Sequence, residues 1–268
     1  MDSIELARSV RLTALDLCHS KRASHIGGAY SVADILAVLY ADVLNISPLT
    51  VDNPERDRVF YSKGHACTAL YAVLNACGYL KGYDLLKEFT VNGSYFTSHV
   101  NHQIPGVELS TGSLGHALGV ACGTALALKR KGNAGSVFTI VSDGELDEGS
   151  NWESLLAGAH HALDNMILII DYNKIQSFGS VEEVLALEPL ADKLRAFRWQ
   201  VTEVDGHNHD ELRKTLAESS LARNGLPKAI IAHTVKGKGV SFMEGQLAWH
   251  YKSPNDADYT RARAELEA

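Results

Sequence analysis

Residues 137–144 read VFTIVSDG, a short apolar segment that runs directly into an acidic turn. Its first five residues are apolar or β-branched, which is typical of a strand buried on both faces of a parallel sheet. Similar segments follow at 166–170, 200–204 and 229–232, with helical stretches between them. Strands that alternate with helices predict an α/β fold, in which a mostly parallel sheet is covered by helices on both faces.

The spacing of apolar residues predicts the helices. They cover 4–17, 32–44, 66–77, 114–128, 148–163, 190–197, 210–223 and 259–267. Short loops connect these elements, and no linker or internal repeat divides them. We therefore expect one domain over residues 1–268.

The composition excludes several classes of function. A net charge of -7 argues against a nucleic-acid partner, since phosphate neutralisation needs a basic face. No apolar run is long enough to cross a membrane. The four cysteines lie in apolar contexts without a CxxC pair, which predicts reduced thiols in a cytoplasmic protein.

The acidic turn after the first strand, residues 142–149, carries the first candidate site. Ligands in open parallel sheets bind beyond the carboxyl ends of the strands. Counted from Asp143, a calcium loop would need Gly and Glu where Glu148 and Ser154 stand. The turn also lacks the glycine spacing of a phosphate-binding loop. A solvated helix N-terminus is the plain alternative, because acids are stabilised there.

A second oxygen-rich segment, Asp171 to Ile175, follows the next strand. If the two strands are neighbours, the Asp143 carboxylate and the Asn173 amide oxygen converge on one hard cation. Mg²⁺ prefers six oxygen ligands, few of them charged when it also binds phosphates. We therefore expect Mg²⁺ here, with Ca²⁺ or Mn²⁺ as alternatives.

Asp143-Gly144, followed thirty residues later by Asn173, resembles the thiamine diphosphate motif, with Ser142 in place of its first glycine. Over nearly the whole chain, further segments resemble the cofactor-binding half of transketolases. They are SHIGG (24–28), SKGHA (62–66), His99 before Pro105-Gly106, STGSLG (110–115), Glu148-Gly149 with Trp152-Glu153, and HTVKGKG (233–239) with His250 downstream.

The resemblance implies roles for individual residues. Thiamine diphosphate would be bound by His65, Gly112, Leu114, Asp143, Gly144, Glu145, Asn173, Ile175 and His250. The metal would be held by Asp143, Asn173 and Ile175. The catalytic residues would be His25, His65, His99, His250, Glu148 and Glu153. Histidines suit proton movement between sugar hydroxyls, since they donate and accept protons at neutral pH.

For four other histidines we expect no catalytic role. His160, His161, His207 and His209 are expected on the surface or in structural hydrogen bonds. The spacing of His99 and His102 does not favour zinc, since no cysteine lies nearby.

Two positions depart from the family pattern. His116-Ala117 stands where Gln-Gly is common, and Tyr251 follows His250 where Gly is common. Both predict an altered sugar substrate.

The resemblance also implies a partner. A full transketolase continues with a second domain, whose glutamate pairs with N1' of the cofactor. We expect this chain to be the N-terminal subunit of a split transketolase, inactive alone, in a dimer of heterodimers acting on sugars or sugar phosphates. A truncated piece of a longer enzyme is the other explanation. The α subunit of a 2-oxoacid dehydrogenase, a fragment of a 1-deoxyxylulose-phosphate synthase and a non-catalytic scaffold are the alternative functions.

Overall fold

A parallel sheet of five strands forms the centre of the computed structural model, which describes residues 1–268. The strands are β1 (Arg58–Tyr61), β2 (Val137–Ser142), β3 (Met166–Tyr172), β4 (Gln200–Asp205) and β5 (Lys228–His233). They lie in the order β1-β2-β3-β5-β4. The α/β fold and all four predicted strands are confirmed. The edge strand β1 was not predicted, because its four residues begin with arginine and leave only a very short apolar run.

Eleven α-helices surround the sheet. They are α1 (Ser3–Lys21), α2 (Ile26–Ser31), α3 (Ala33–Val38), α4 (Cys67–Ala76), α5 (Leu85–Glu88), α6 (Ala117–Arg130), α7 (Gly149–His160), α8 (Val181–Val184), α9 (Leu190–Ala196), α10 (His209–Leu221) and α11 (Asp256–Glu267). Helix α3 continues as a π-helix, Leu39–Val43. All eight predicted helices are present, with shifted ends.

Two of these shifts have local causes. Helix α6 begins at Ala117, three residues later than predicted, because Gly115 has a φ of +81° and belongs to a loop. Helix α11 begins earlier than predicted, at Asp256. Its first turn is closed by a capping box, in which Asn255 and Asp258 exchange side-chain and backbone hydrogen bonds.

The two faces of the sheet support separate hydrophobic clusters. On one face Phe138, Ile140, Ile167, Ile169 and Ile230 join the apolar residues of α1, α3 and α4. On the other face the alternate residues of the same strands pack against α6, α7 and α9; they include Val137, Val141, Leu168, Ile170 and Ile231. Every residue of β2 and β3 is buried, as expected for strands covered on both sides.

The strand register decides where the polar loops lie. Ser142 at the end of β2 pairs with Asp171 of β3, and Tyr172 of β3 pairs with His233 of β5. The condition set by the sequence, that β2 and β3 are neighbours, is therefore met. The loops after β2, β3 and β5 leave the sheet at one edge.

None of the helices combines the length and apolar character that a membrane crossing requires. All four cysteines are free thiols, and Cys18, Cys67 and Cys122 are buried. The cytoplasmic location and the single-domain organisation stay predictions.

Candidate active site

A cavity of about 360 Å³ opens at the carboxyl edge of the sheet. It lies among the loops after β2 and β3, the start of α2 and a 3-10 turn, Leu247–His250. Its walls are formed by His25, Gly28, Lys63, His65, His99, Gly112, Leu114, Ser142, Asp143, Gly144, Asn173, Ile175, Gln176, Ser177, Lys236, His250 and Tyr251.

Asp143 lies at the base of this cavity and is only 1% exposed. Its Oδ1 accepts a hydrogen bond from the Gly144 N–H at 2.8 Å, and its Oδ2 accepts one from the Lys174 N–H at 2.6 Å. Burial, together with the nearby charge of Asp171, raises the pKa of Asp143 to about 6. A cation beside Asp143 would stabilise the charged form of this carboxylate.

The Asn173 loop contributes two more residues with candidate oxygen ligands, Asn173 and Ile175, to the wall of the same cavity. Lys174 adopts a left-handed conformation, with a φ of +66°, and turns the chain sharply after Asn173. The Asn173 Oδ1 accepts the Ile175 N–H at 3.2 Å, and the Asn173 Nδ2 lies 3.4 Å from the Ser31 Oγ. One carboxylate, one amide oxygen and one backbone carbonyl form a donor set that fits a hard divalent cation.

No group of three His, Cys, Asp or Glu side chains in the chain is arranged to hold a metal ion. The donor set around Asp143 is of another kind, since it combines a single carboxylate with an amide oxygen and a backbone carbonyl. It stays the candidate cation site.

Two buried lysines at the cavity were not predicted as site residues. The Lys236 Nζ lies 2.9 Å from the Ile175 carbonyl oxygen and 2.8 Å from the His250 Nδ1. Burial lowers the pKa of Lys236 to about 8, although Asp143 acts in the opposite direction. The Lys63 Nζ donates to the Gly28 carbonyl at 2.9 Å and forms an ion pair with Asp171. Both lysines belong to segments that carry the family resemblance, but only tertiary contacts reveal their burial.

Asp171, the ion-pair partner of Lys63, is fully buried. It also accepts hydrogen bonds from the Ser31 Oγ at 2.6 Å and from the Thr234 hydroxyl. These contacts tie α2, β3 and the segment after β5 together beside the cavity.

Four predicted histidines converge in this cavity. The ring of His25 lies 5.2 Å from that of His65, 6.5 Å from that of His99 and 5.0 Å from that of His250, measured between centroids. The rings of His65 and His250 are nearly parallel at 5.9 Å. The His25 backbone N–H donates to the His250 carbonyl at 2.8 Å, while the buried Nδ1 of His25 has no hydrogen-bond partner.

The environment keeps three of these imidazoles neutral. Burial is the main cause, and neighbouring positive charges add to it: the pKa of His25 falls to about 4, that of His250 to about 3, and that of His65 well below its ordinary value. Neutral imidazoles can both donate and accept hydrogen bonds.

The remaining predicted cofactor residues lie in or directly behind the cavity wall. A Cβ on Gly112 would lie 2.9 Å from the Cδ2 of His99, so only glycine fits there without moving the imidazole. Glu145 is fully buried behind the wall, where its Oε1 accepts the Gly115 N–H at 2.9 Å and the Ser62 hydroxyl. Its Oε2 has no partner, and burial raises its pKa.

Glu148 and Glu153 do not line the cavity. Both are exposed, at the start and in the first half of α7. The contacts of this chain give them no access to the histidines, and their catalytic role stays a prediction.

The histidines expected to be structural divide into two groups. His160 and His161 lie beside each other at the end of α7. His207 and His209 contact Asp34 at 2.6 Å and 3.1 Å, where α3 packs against the start of α10.

The two departures from the family pattern lie near the opening of the site. The ring of Tyr251 is 4.7 Å from that of His250 and 5.6 Å from that of His25, and the residue is 58% exposed. Tyr251 therefore narrows the mouth of the cavity. The exposed His116 contacts the Leu114 carbonyl oxygen at 2.9 Å through its Nδ1.

Comparisons with known proteins agree with this geometry. Residues 3–267 match the family described as "Transketolase, thiamine diphosphate binding domain". The chain is 39% identical over 262 residues to the 6-deoxy-6-sulfo-D-fructose transketolase subunit SqwG of Clostridium sp. (strain MSTE9), a match that covers 97% of this chain and 94% of that protein. It is 40% identical over 263 residues to the A subunit of the apulose-4-phosphate transketolase of Actinobacillus succinogenes, again covering 97% and 94% of the two chains.

A similar fold occurs in the solved structure of transketolase from Leishmania mexicana, with a TM-score of 0.90 and 31% sequence identity. The similarity covers 100% of this chain but 41% of that one. The chain thus spans less than half of that larger enzyme.

Proposed function

We propose a function from one premise: the chain belongs to the transketolase family, through its thiamine diphosphate-binding domain. It binds thiamine diphosphate through a divalent metal ion and, with a second subunit, transfers a two-carbon ketol unit from a ketose to an aldose. The observation that carries this proposal is the convergence of His25, His65, His99 and His250 with Asp143 and Asn173 in one cavity.

The base of the cavity would hold the metal and the diphosphate. The Asp143 carboxylate, the Asn173 amide oxygen and the Ile175 carbonyl oxygen are the metal ligands, and Mg²⁺ is the ion that best suits them. Lys236 adds positive charge at the same place, which favours an anionic diphosphate. Lys63 is already neutralised by Asp171, whereas Lys236 has no carboxylate partner, so a bound anion would compensate the charge of Lys236.

The histidines would contact the sugar substrate. Bound thiamine diphosphate would supply the carbon nucleophile that adds to a ketose carbonyl. His250 contacts Lys236 and is stacked on His65, so these two lie on the diphosphate side, while His25 and His99 would bind hydroxyl groups of the donor. Because three of the four imidazoles are held neutral, each can donate and accept hydrogen bonds with the sugar hydroxyls as the carbon–carbon bond breaks.

The partner is proposed from the relatives. Two of them are named as subunits of transketolases, and this chain covers nearly their full length. We infer that a C-terminal subunit completes the active site and supplies the glutamate for N1' of the cofactor, in a dimer of heterodimers. The substrates would be sugars or sugar phosphates.

Calorimetry tests the metal and cofactor assignment. Thiamine diphosphate should bind the wild-type chain in the presence of Mg²⁺ and lose affinity when the metal is chelated. Asp143→Ala should abolish this metal-dependent binding, whereas Asp192→Ala, which removes an exposed aspartate, should leave it unchanged. Equal affinity for the cofactor in wild type and Asp143→Ala would remove the central assignment.

Activity assays test the partner and the reaction. The isolated chain should fold yet show no steady ketol transfer, and activity should appear on addition of the C-terminal subunit. Steady transfer by the chain alone would contradict the need for a partner. Turnover of a 2-oxoacid in place of a ketose would instead favour a dehydrogenase-type subunit.

A further inference from the structure

His207 lies outside the wall of the candidate active site but is joined to it through one backbone hydrogen bond. The residue belongs to the loop between β4 and α10. Its Nε2 lies 2.8 Å from the backbone nitrogen of Val235, the residue that directly precedes Lys236. On the other side of the ring, Nδ1 lies 2.6 Å from the Asp34 Oδ2. One imidazole therefore connects α3 to the segment that carries Lys236.

These two contacts fix the position of the proton on His207. A backbone N–H can only donate, so the Nε2 of His207 accepts and carries no proton. The proton of the neutral ring is then on Nδ1, which donates to the Asp34 carboxylate. Both terminal nitrogens of Arg11 bind the same carboxylate, at 2.9 Å and 2.6 Å, in a buried ion pair. The ion pair orients the ring, which presents a hydrogen-bond acceptor to the backbone of Val235.

The loop that carries His207 also packs closely against residues 233–236. The Gly206 N–H donates to the His233 carbonyl at 2.8 Å. A Cβ on Gly206 would lie 2.4 Å from the Cγ2 of Thr234, so only glycine allows this approach without displacing the threonine. The contact between Nε2 and the backbone is therefore part of a tight fit between two loops.

The position of Lys236 decides the hydrogen bonding of His250. The Lys236 Nζ lies 2.8 Å from the His250 Nδ1, and an ammonium group can only donate. The Nδ1 of His250 therefore accepts, and the proton of this neutral ring is on Nε2. Because a lysine stem is flexible, the place of its backbone determines which partners Nζ can reach.

We propose that His207 is a positioning residue of the candidate active site. Its Nε2 holds the backbone of Val235 and so keeps Lys236 in contact with His250. This inference rests on the proposed function, in which Lys236 lies beside the diphosphate and His250 beside the reacting groups. The bond from His207 to Asp34 orients the ring, and the bond to Val235 transmits its effect to the cavity.

Two amide substitutions separate the two bonds of His207. Asparagine can place its amide nitrogen where Nδ1 lies and donate to Asp34, but it is too short to reach Val235. Glutamine can place its amide oxygen where Nε2 lies and accept the Val235 N–H. His207→Asn is therefore compared with His207→Gln. The matched control is His209→Asn, because His209 also contacts Asp34, at 3.1 Å, but its other nitrogen lies 2.9 Å from the Ser3 Oγ.

The measurement is ¹⁵N NMR of the imidazoles at neutral pH, in the chain without cofactor, with the His250 signals assigned through His250→Gln. Wild type should show His207 protonated at Nδ1 and His250 at Nε2. His207→Asn should shift the His250 signals toward a mixture of the two tautomers, whereas His207→Gln and His209→Asn should leave them as in wild type. A merely structural role of His207 would lower thermal stability in its variants without moving the His250 signals.

Cofactor affinity is the second readout. Calorimetry with thiamine diphosphate and Mg²⁺ should show roughly fivefold weaker binding for His207→Asn, which corresponds to the loss of one hydrogen bond, and wild-type affinity for His207→Gln. Unchanged His250 signals in His207→Asn, or equal shifts in the Asn and Gln variants, would overturn the inference. If His207→Asn does not fold, the wild-type spectrum still decides, because a proton on the Nε2 of His207 excludes the bond to Val235.

Failure of the proposed function looks different. Thiamine diphosphate would then not bind the wild-type chain, while the imidazole signals of the chain without cofactor would still follow the pattern expected for His207 and His250.

Discussion

The ion pair between Lys63 and Asp171 gives the sharpest test of how this site is built. Both side chains are buried, with exposures of 1% and 0%. Lys63→Met keeps most of the side-chain volume but leaves the Asp171 carboxylate without its cation and the Gly28 carbonyl without a donor. Removing one partner of a buried pair typically costs about 3–5 kcal/mol, because an uncompensated charge stays in the interior.

The measurement is urea unfolding followed by circular dichroism at neutral pH. Lys63→Met should lose about 3–5 kcal/mol of unfolding free energy. The control is Lys87→Met, which breaks another Lys–Asp pair, with Asp84, whose side chains are 84% and 50% exposed. That variant should unfold almost like wild type, as is usual for exposed helix pairs.

A second variant separates the charge from the packing. Lys63→Met combined with Asp171→Asn removes the unpaired charge, while the amide can still bind Ser31 or Thr234. The double variant should recover about 2 kcal/mol relative to the sum of the single changes, within the usual coupling of contacting residues. Simple additivity, or a Lys63→Met loss as small as that of Lys87→Met, would refute the reasoning.

Two further predictions concern stability. Burial opposes ionisation of Asp34, but hydrogen bonds from His207, His209 and Arg11 outweigh it and hold the pKa of Asp34 well below its usual range. Its contribution to stability is therefore present above the unfolded-state pKa and is lost as the pH falls below about 4; Asp34→Asn should lack that part of the acid destabilisation in pH-dependent urea unfolding. A steeper acid loss in the variant would contradict this sign. Gly64→Ala places a Cβ 2.3 Å from the Thr111 carbonyl oxygen, whereas Gly149→Ala meets nothing within 4 Å. Thermal unfolding should show a loss of about 3 kcal/mol or more for Gly64→Ala and little for Gly149→Ala, and similar melting of the two would disprove the close contact.

Much of the fold could be predicted because its determinants are local. The strands β2 and β3 are buried along their whole length, and a run of consecutive apolar residues is enough to predict such burial. Strand β1 could not be predicted, since its assignment depends on pairing with β2 across a long sequence separation. The ends of α6 and α11 depended on a left-handed glycine and on a capping box.

Some residues of the candidate site could likewise be predicted from the sequence, and others could not. Asp143 and Asn173 could be chosen from sequence because each follows a predicted strand, and parallel strands end at one edge. The buried lysines Lys63 and Lys236 could not, because a lysine in sequence is normally a surface residue and only the packing of several loops removes these two from solvent. The exposure of Glu148 could not be predicted either, because it depends on how α7 packs.

By itself, the sequence determined the alternation of strands and helices, the polar residues at the strand ends and the histidine segments that carry the family resemblance. Those features follow from periodicity and from short motifs, which involve neighbouring residues only. The tertiary structure alone decided that four histidines from distant segments share one cavity and that Asp171 neutralises Lys63. Such contacts depend on strand order and helix packing, and no local pattern encodes them.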